Sequence, residues 1–462
     1  MNTIRWDEAL VQKYNVKGPR YTSYPTALLL QSGFAPATAR QSLLHSGPNL
    51  SLYLHIPFCR QLCFYCGCNK VISRDQTKAD RYLAALATEI AFYQDATSHQ
   101  TVQQLHLGGG TPTFLDAVQL RELMTLLRSA FTFHPEAALS IEVDPRSCSL
   151  EKLALLYELG FRRLSFGVQD FTDQVQQTIH RIQSYELVES LVQEARRLGF
   201  TSINLDLVYG LPHQHSTTFQ QTLSQVLALD PDRVSLFSYA HLPERFAAQR
   251  KIPTESLPTA SQKLALLALA LETLQQAGYQ AIGMDHFAKP SDPLAIAQQH
   301  GELKRNFQGY TTDTCDALLG LGVSAISQVG AHIWQHQKDL NQYYRDLSLQ
   351  QHSIEKGMTL SRDDQIRAAV IASLMCNFQL DTQQFASQWQ LNFAEYFQQS
   401  LAQLQSCIDD QLVEWQGERL VVTAQGRAWV RVICACFDAY LLQQHQNSSH
   451  QSYSHESYSK VV

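Results

Sequence analysis

Four of the ten cysteines fall within ten positions, in the run YLHIPFCRQLCFYCGC from Tyr53 to Cys68. Cys59, Cys63 and Cys66 are spaced C-x3-C-x2-C, directly after a strand-like stretch and the turn at Pro57. A short loop with this spacing can wrap three thiolates around one metal centre. Iron–sulfur clusters usually take four protein thiolates, so three would leave one iron open to a small molecule. A zinc knuckle is the competing chemistry. It would want a second pair of ligands, and none is evident downstream. Disulfides belong to oxidising compartments, and the other six cysteines are scattered. Cys68 is too close to Cys66 to be an easy fourth ligand. It reads either as a small buried residue or as a free thiol with a role beside the metal centre.

Something must hold this loop. From residue 49 to about 240, short apolar, β-branched or aromatic runs at 51–56, 103–107, 139–143, 162–166, 202–208 and 233–238 alternate with helical patterns at 78–94, 116–131, 150–159, 171–180, 184–198 and 217–229. Such alternation gives a parallel sheet with helices outside. Six units fit an incomplete (β/α)6 barrel or an open doubly wound sheet, and periodicity does not choose between them. Ligands in parallel α/β folds bind beyond the carboxyl ends of the strands. Cys59, Gly108, Glu142, Gln169, Asp206 and Tyr239 stand there. Gly108-Gly109-Gly110-Thr111 either turns the chain or lets backbone approach a charged ligand without a Cβ in the way. Glu142 is an exposed strand end or an acceptor for hydroxyl groups. Arg181 is a surface arginine or a bidentate partner for a carboxylate.

Residues 1–48 read as an N-terminal arm in which Pro19 and Pro25 fix turn geometry and Arg20, Tyr21 and Tyr24 cluster. The barrel and its extension span 49–335, including an amphipathic helix over 258–277 and a small-residue run at 318–327 that suits a ligand or a tight contact. The span 336–444 is mostly helical, with helices expected at 361–376, 383–389, 393–409 and 424–444 and a hairpin turning at Gly417. Helices plus a hairpin suggest a winged-helix-like module. Its Arg419, Arg427 and Arg431 stand against Glu395, Asp409, Asp410, Glu414 and Glu418, which argues against DNA binding and for a cap on the barrel. Cys434 and Cys436 read as buried apolar residues. The Ser- and His-rich tail, 445–462, reads as disordered. A net charge of −6 argues against a nucleic-acid partner, which would leave a basic footprint. No apolar run approaches the roughly 18 residues of a membrane helix, and MNTIRWDEAL is no signal peptide, so the expected location is cytoplasmic with no membrane partner.

The combined motifs resemble the oxygen-independent coproporphyrinogen III oxidases, a branch of the radical S-adenosylmethionine (SAM) enzymes. The likeness is carried by YLHIPFCRQLCFYCGCNK, LGGGTPTFL (107–115), IEVDPR (141–146), LSFGVQDF (164–171), LDLVYGLP (205–212), SYAHLPERFAAQRKI (238–252), GMDHFA (283–288) and RNFQGYTT (305–312). It implies an α/β fold built on an incomplete (β/α)6 radical SAM barrel, with an N-terminal arm and a mostly helical C-terminal domain. It implies one 4Fe-4S cluster on Cys59, Cys63 and Cys66, and two SAM molecules. The first would meet Tyr53, Gly109, Glu142 and Ile326. The second would meet Tyr65, Gly110, Thr111, Gln169, Arg181, Asp206 and Ala240. Cys68 would be catalytic, needed for turnover without binding the cluster, and the arm would close over substrate. The implied reaction converts two propionates of coproporphyrinogen III to vinyl groups, giving protoporphyrinogen IX. Arg20, Lys304 and Arg305 are candidate partners for the propionates. A small electron-donor protein such as a flavodoxin or ferredoxin would serve a monomeric enzyme. Two rivals are a haem-binding chaperone on the same scaffold, which lacks the CxC cysteine and the PRYTSYPT arm present here, and a radical SAM methyltransferase acting on tetrapyrroles.

Overall fold

A computed structural model describes residues 8–312 and 315–446. Six strands run parallel and in chain order: β1 (Asn49–Ile56), β2 (Thr101–Gly109), β3 (Thr132–Val143), β4 (Arg163–Gln169), β5 (Ser202–Tyr209) and β6 (Arg233–Ser238). Helices follow them, among them Thr77–Gln94, Ala117–Ala130, Tyr185–Leu198 and Ser216–Ala228. Beyond β1 the sheet adds Ala317–Leu321, parallel to it, then antiparallel strands through Ile354–Thr359 and the arm's Gln31–Ser32. Beyond β6 it adds two short antiparallel strands, His286–Ala288 and Gln280–Ile282. The two outermost strands of the thirteen do not pair with each other, so the barrel is incomplete, as expected.

Side chains alternate along each strand. One set, including Leu52, Leu54, Leu105, Leu107, Ile141, Phe166, Leu205 and Leu236, is buried in the principal core together with helix residues such as Leu83, Leu123, Leu191 and Leu223. The other set is polar: Tyr53, His106, Ser140, Glu142, Ser165, Asn204, Asp206 and Ser235. Pairing sets Tyr53 beside His106, Glu142 beside Ser165, and Asp206 beside Ser235. The strands therefore carry an apolar face and a hydrogen-bonding face, and the second face holds up the site.

The C-terminal part joins helices such as Arg362–Asn377 and Gln398–Asp409 to a three-stranded sheet (Gln379–Asp381, Val413–Gln416, Arg419–Val422) that turns at Gly417. The helix expected over 424–444 is interrupted. A 3-10 turn (Gly426–Trp429), a helix (Val430–Ala435) and a further helix (Ala439–Gln446) replace it, because the Asp438 carboxylate accepts from the backbone N–H groups of Tyr440 and Leu441 and starts a new helix. Residues 445 and 446 end that helix; 447–462 lie outside the described residues. Cys434 and Cys436 are buried in a second core, as expected. That core also takes Val11, Tyr14, Tyr21 and Tyr24 from the arm and Leu264, Ile282, Leu294 and Tyr310 from the extension. Arm and C-terminal part are thus packed as one body.

Candidate active site

The carboxyl ends of β1–β6 surround a cavity of about 550 Å³. The cysteine loop enters it through a short parallel pairing of Phe58–Cys59 with Val71–Ile72, and Ser73 N–H on the Cys59 carbonyl (2.9 Å) closes the loop's base. Phe64 N–H donates to the Ile179 carbonyl (2.9 Å), tying the loop to the segment that bears Arg181. Each of the three sulfurs accepts a donor. Thr111 Oγ1 points at Cys59 Sγ (3.3 Å), Arg146 Nη2 and Arg181 Nη1 at Cys63 Sγ (3.3 and 3.6 Å), and Cys68 N–H at Cys66 Sγ (3.5 Å). Lys70 Nζ adds positive charge on the Cys66 carbonyl (2.9 Å). Hydrogen bonding by Cys68, with Lys70 nearby, pulls the Cys66 thiol down to about 6. Burial pushes Cys59 up to about 12, with Thr111 opposing it; coordination to a metal would deprotonate it outright.

This donor set fits anionic sulfur, as an iron–sulfur cluster requires. Among the described residues no three His, Cys, Asp or Glu side chains gather tightly enough to hold a single ion, whereas cluster cysteines bind different irons.

Arg181 and Arg146 share the Asp144 carboxylate: Arg146 reaches it at 2.7 Å and Arg181 at 3.3 Å. These two cations hold Asp144 down to about 2 against its burial. Arg181 also donates to the Gly167 carbonyl (2.5 Å), and its Nε has no hydrogen-bond partner. Facing this group, Gly109 N–H donates to Glu142 Oε2 (3.0 Å), and Glu142 Oε1 stands 3.5 Å from His106 Nε2. Asp206 accepts from Ser165 Oγ (2.9 Å) and Asn204 Nδ2 (2.8 Å). Burial, aided by the Glu142 charge, pushes its carboxyl up to about 6. Gln169 is buried with φ of 70°, which swings the chain away from the strand. Gln249 donates to the carbonyls of Tyr65 (2.9 Å) and Ala240 (3.1 Å), joining the loop after β6 to the cysteine loop.

Of the residues singled out from sequence, Cys59, Cys63, Cys66, Cys68, Tyr65, Gly109, Gly110, Thr111, Glu142, Gln169, Arg181, Asp206 and Ala240 line this one cavity, with Arg20. Tyr53 and Ile326 do not. They line a separate chamber of about 150 Å³ with His55, Phe307, Ser324 and Ala325, and Tyr53 stacks on His106 (ring centroids 6.0 Å apart) at its edge. Lys304 is exposed on a small hairpin, and Arg305 is buried beside Asp285, both off the cavity. Asp144, Arg146, Lys70 and Gln249 were given no role by sequence reasoning. Asp144 and Arg146 lie in IEVDPR, whose adjacent opposite charges at a strand end were the available signal.

Residues 53–226 match the radical SAM superfamily, and residues 360–429 match the HemN C-terminal domain. The oxygen-independent coproporphyrinogen III oxidase of Salmonella typhimurium is 52% identical over 442 residues, 96% of this chain and 97% of the relative. That of Pseudomonas aeruginosa is 46% identical over 447 residues, with the same coverage of both chains. The chain belongs to the oxygen-independent coproporphyrinogen III oxidases. The solved coproporphyrinogen III oxidase of Escherichia coli, described as a radical SAM enzyme, superposes on it with a TM-score of 0.90 at 48% identity, over 95% of this chain and 100% of the other. As a radical SAM member of this family, the chain is an oxidoreductase that takes a 4Fe-4S cluster and SAM. Among the described residues no helix is long and apolar enough to cross a membrane.

Proposed function

We propose that this chain carries out the anaerobic oxidative decarboxylation of two propionate side chains of coproporphyrinogen III to vinyl groups, giving protoporphyrinogen IX in haem biosynthesis. The observation that carries this is the meeting of Cys59, Cys63, Cys66, Cys68, Gly109, Gly110, Glu142, Arg181 and Asp206 in one cavity, in a chain of this family. Cys59, Cys63 and Cys66 would hold the cluster. When bound, cluster and SAM together would supply a 5′-deoxyadenosyl radical able to take a hydrogen atom from the propionate β-carbon, after which loss of carbon dioxide, and of one electron to an acceptor, would leave the vinyl group. Arg181, kept cationic by Asp144, offers its Nε to a carboxylate, and the Gly109–Gly110 backbone allows close approach. Glu142 and Asp206 accept hydrogen bonds from ribose hydroxyls; Asp206 does so best once ionised. Tyr53, with Ile326 in the adjoining chamber, serves the first SAM and Tyr65, Gln169, Thr111 and Ala240 a second. Cys68 relays a proton or hydrogen atom at the cavity wall.

Charge, hydropathy and the pattern of the chain support the rest, and the electron donor comes from the resemblance. The enzyme is a cytoplasmic monomer, served by a small electron-donor protein such as a flavodoxin or ferredoxin, with no nucleic-acid or membrane partner. Residues 1–48 form an arm, 49–335 the barrel with its extension, 336–444 the C-terminal domain and 445–462 a tail. Anaerobic incubation of cluster-loaded protein with reductant, SAM and coproporphyrinogen III tests the function by product mass. Loss of carbon dioxide from two side chains is expected. A gain of methyl mass would establish the methyltransferase instead, and unchanged substrate with retained haem the chaperone.

A further inference from the structure

The polar face of the strands has two ends. Its carboxyl end walls the catalytic cavity. Its amino end begins with Arg163 of β4, Ser202 of β5 and Arg233 of β6, each the first residue of its strand. Side chains two apart share a face, so these three stand in line with Ser165, Asn204 and Ser235. Asn204 donates to Ser165 Oγ (2.8 Å) and accepts from Ser235 Oγ (3.1 Å), a hydrogen-bonded layer between the two ends. Below that layer Arg163, Ser202 and Arg233 line a second pocket of about 260 Å³ with Asp232, Lys289 and Asp292.

The cations here are unequally answered. Arg233 Nε reaches Asp292 at 2.7 Å, Lys289 reaches Asp230 at 2.7 Å, and Arg196, just outside the pocket, reaches Asp232 at 2.7 Å. Backbone takes up more of the same acids: Asp232 accepts from Ile203 N–H (2.7 Å) and Asp292 from Leu294 N–H (2.8 Å). Arg163 is half-buried and forms no ion pair among the described residues. Arg233 keeps a second opening, because its buried Nη2 has no hydrogen-bond partner. Burial and the Arg233 charge depress Arg163 to about 10, with Asp292 opposing them. Burying an unanswered charge is costly. Two guanidinium forks beside Ser202 and Ser291 match the oxygens of a phosphate. We propose that the amino end of the barrel binds a multiply charged oxyanion of the phosphate class, free or carried on a small molecule, held by Arg163 and Arg233 with Lys289 beside them. The cysteine loop lies at the opposite end of the strands, so this ligand is neither substrate nor SAM.

For the test, cluster-loaded protein is kept anaerobic in a phosphate-free buffer. Inorganic phosphate or pyrophosphate is added, against sodium chloride of equal ionic strength. Calorimetric titration should show saturable binding, and saturation should raise Tm by a few degrees. Arg163→Met, which keeps an apolar stem, should weaken both anions about 10- to 100-fold. Arg163→Lys, with the charge but not the fork, should fall between. Without anion the Met variant should melt no lower than the wild type, since it removes an uncompensated charge, and its iron content and SAM cleavage should be unchanged. Tighter binding of pyrophosphate would favour a diphosphate or phosphate-ester ligand and tighter binding of phosphate the free ion; both support the site. Absence of binding, equal stabilisation by chloride, or wild-type affinity in Arg163→Met would each overturn the proposal. So would a Met variant that melts several degrees lower without anion, since Arg163 would then be a structural brace.

Discussion

Gly110→Ala is a direct test of how tightly the glycine turn and the cysteine loop are joined. A Cβ at Gly110 would lie 2.6 Å from the Pro57 carbonyl oxygen, 2.7 Å from its carbon and 3.0 Å from the Ile56 oxygen. Ordinary contact begins at 3.4 Å, so one backbone segment must move about 0.8 Å. The obstacle is main chain two residues ahead of Cys59, and Gly110 N–H is itself bonded to Ile56 O at 2.8 Å, so no side-chain rotation relieves it. Overpacking of this kind costs about 1–3 kcal/mol. Displacement near 1 Å in a catalytic constellation lowers rates by about 100-fold. Expected are a Tm lower by several degrees, incomplete iron and sulfide incorporation, and deoxyadenosine formation reduced by about 10- to 100-fold. Gly278→Ala, where a Cβ meets nothing within 4 Å but φ is 88°, controls for backbone strain alone. A Gly110→Ala protein with full iron content and wild-type SAM cleavage would refute the claimed coupling.

Cys68→Ser should keep the cluster's absorption and paramagnetic spectra while product formation stops, whereas Cys59→Ala, Cys63→Ala or Cys66→Ala should each lose iron; turnover by Cys68→Ser would remove the relay. Arg146→Met takes a cation from 3.3 Å beside Cys63 Sγ, and since hydrogen bonds and charge at the sulfurs tune such clusters, the midpoint potential should move negative in a redox titration; a positive shift would contradict this. Asp206 is raised in the fold from 3.8 to about 6, so the folded state holds its proton more tightly than the unfolded state does. Stability is therefore lost as pH rises from about 4 to about 6, by up to about 3 kcal/mol. Asp206→Asn should flatten that part of the Tm profile of the cluster-free protein and weaken SAM binding; an unchanged slope would show that the carboxyl is not perturbed.

The cysteine loop was legible because spacing alone brings three thiolates together, and the six parallel strands because strand and helix patterns alternate in sequence. Which strand residues face inward was also written there, in S-L-Y-L-H-I, S-I-E-V and I-N-L-D-L, where polar residues recur at every second position. The separation of Tyr53 from the main cavity was not. It follows from the extension strand Ala317–Leu321, which pairs with β1 and sets Gly320 against Tyr53, a contact across more than half the chain. The tight-contact reading of the small-residue run holds at Gly320 and Gly322, where a Cβ would strike backbone or Tyr82, while Ser324 and Ala325 do line the small chamber. The arm's fate was likewise hidden. Tyr14 is bonded to Asp410 and Ser406, and Tyr24 O–H accepts from Ala439 N–H (3.0 Å); these partners lie hundreds of positions away, and no local pattern encodes them.

The most direct measurement uses coproporphyrinogen III deuterated at the propionate β-carbons, incubated anaerobically with the cluster-loaded enzyme, reductant and SAM. The account requires deuterium in the 5′-deoxyadenosine recovered, in step with loss of carbon dioxide. Deoxyadenosine that carries no deuterium while vinyl product accumulates would contradict it.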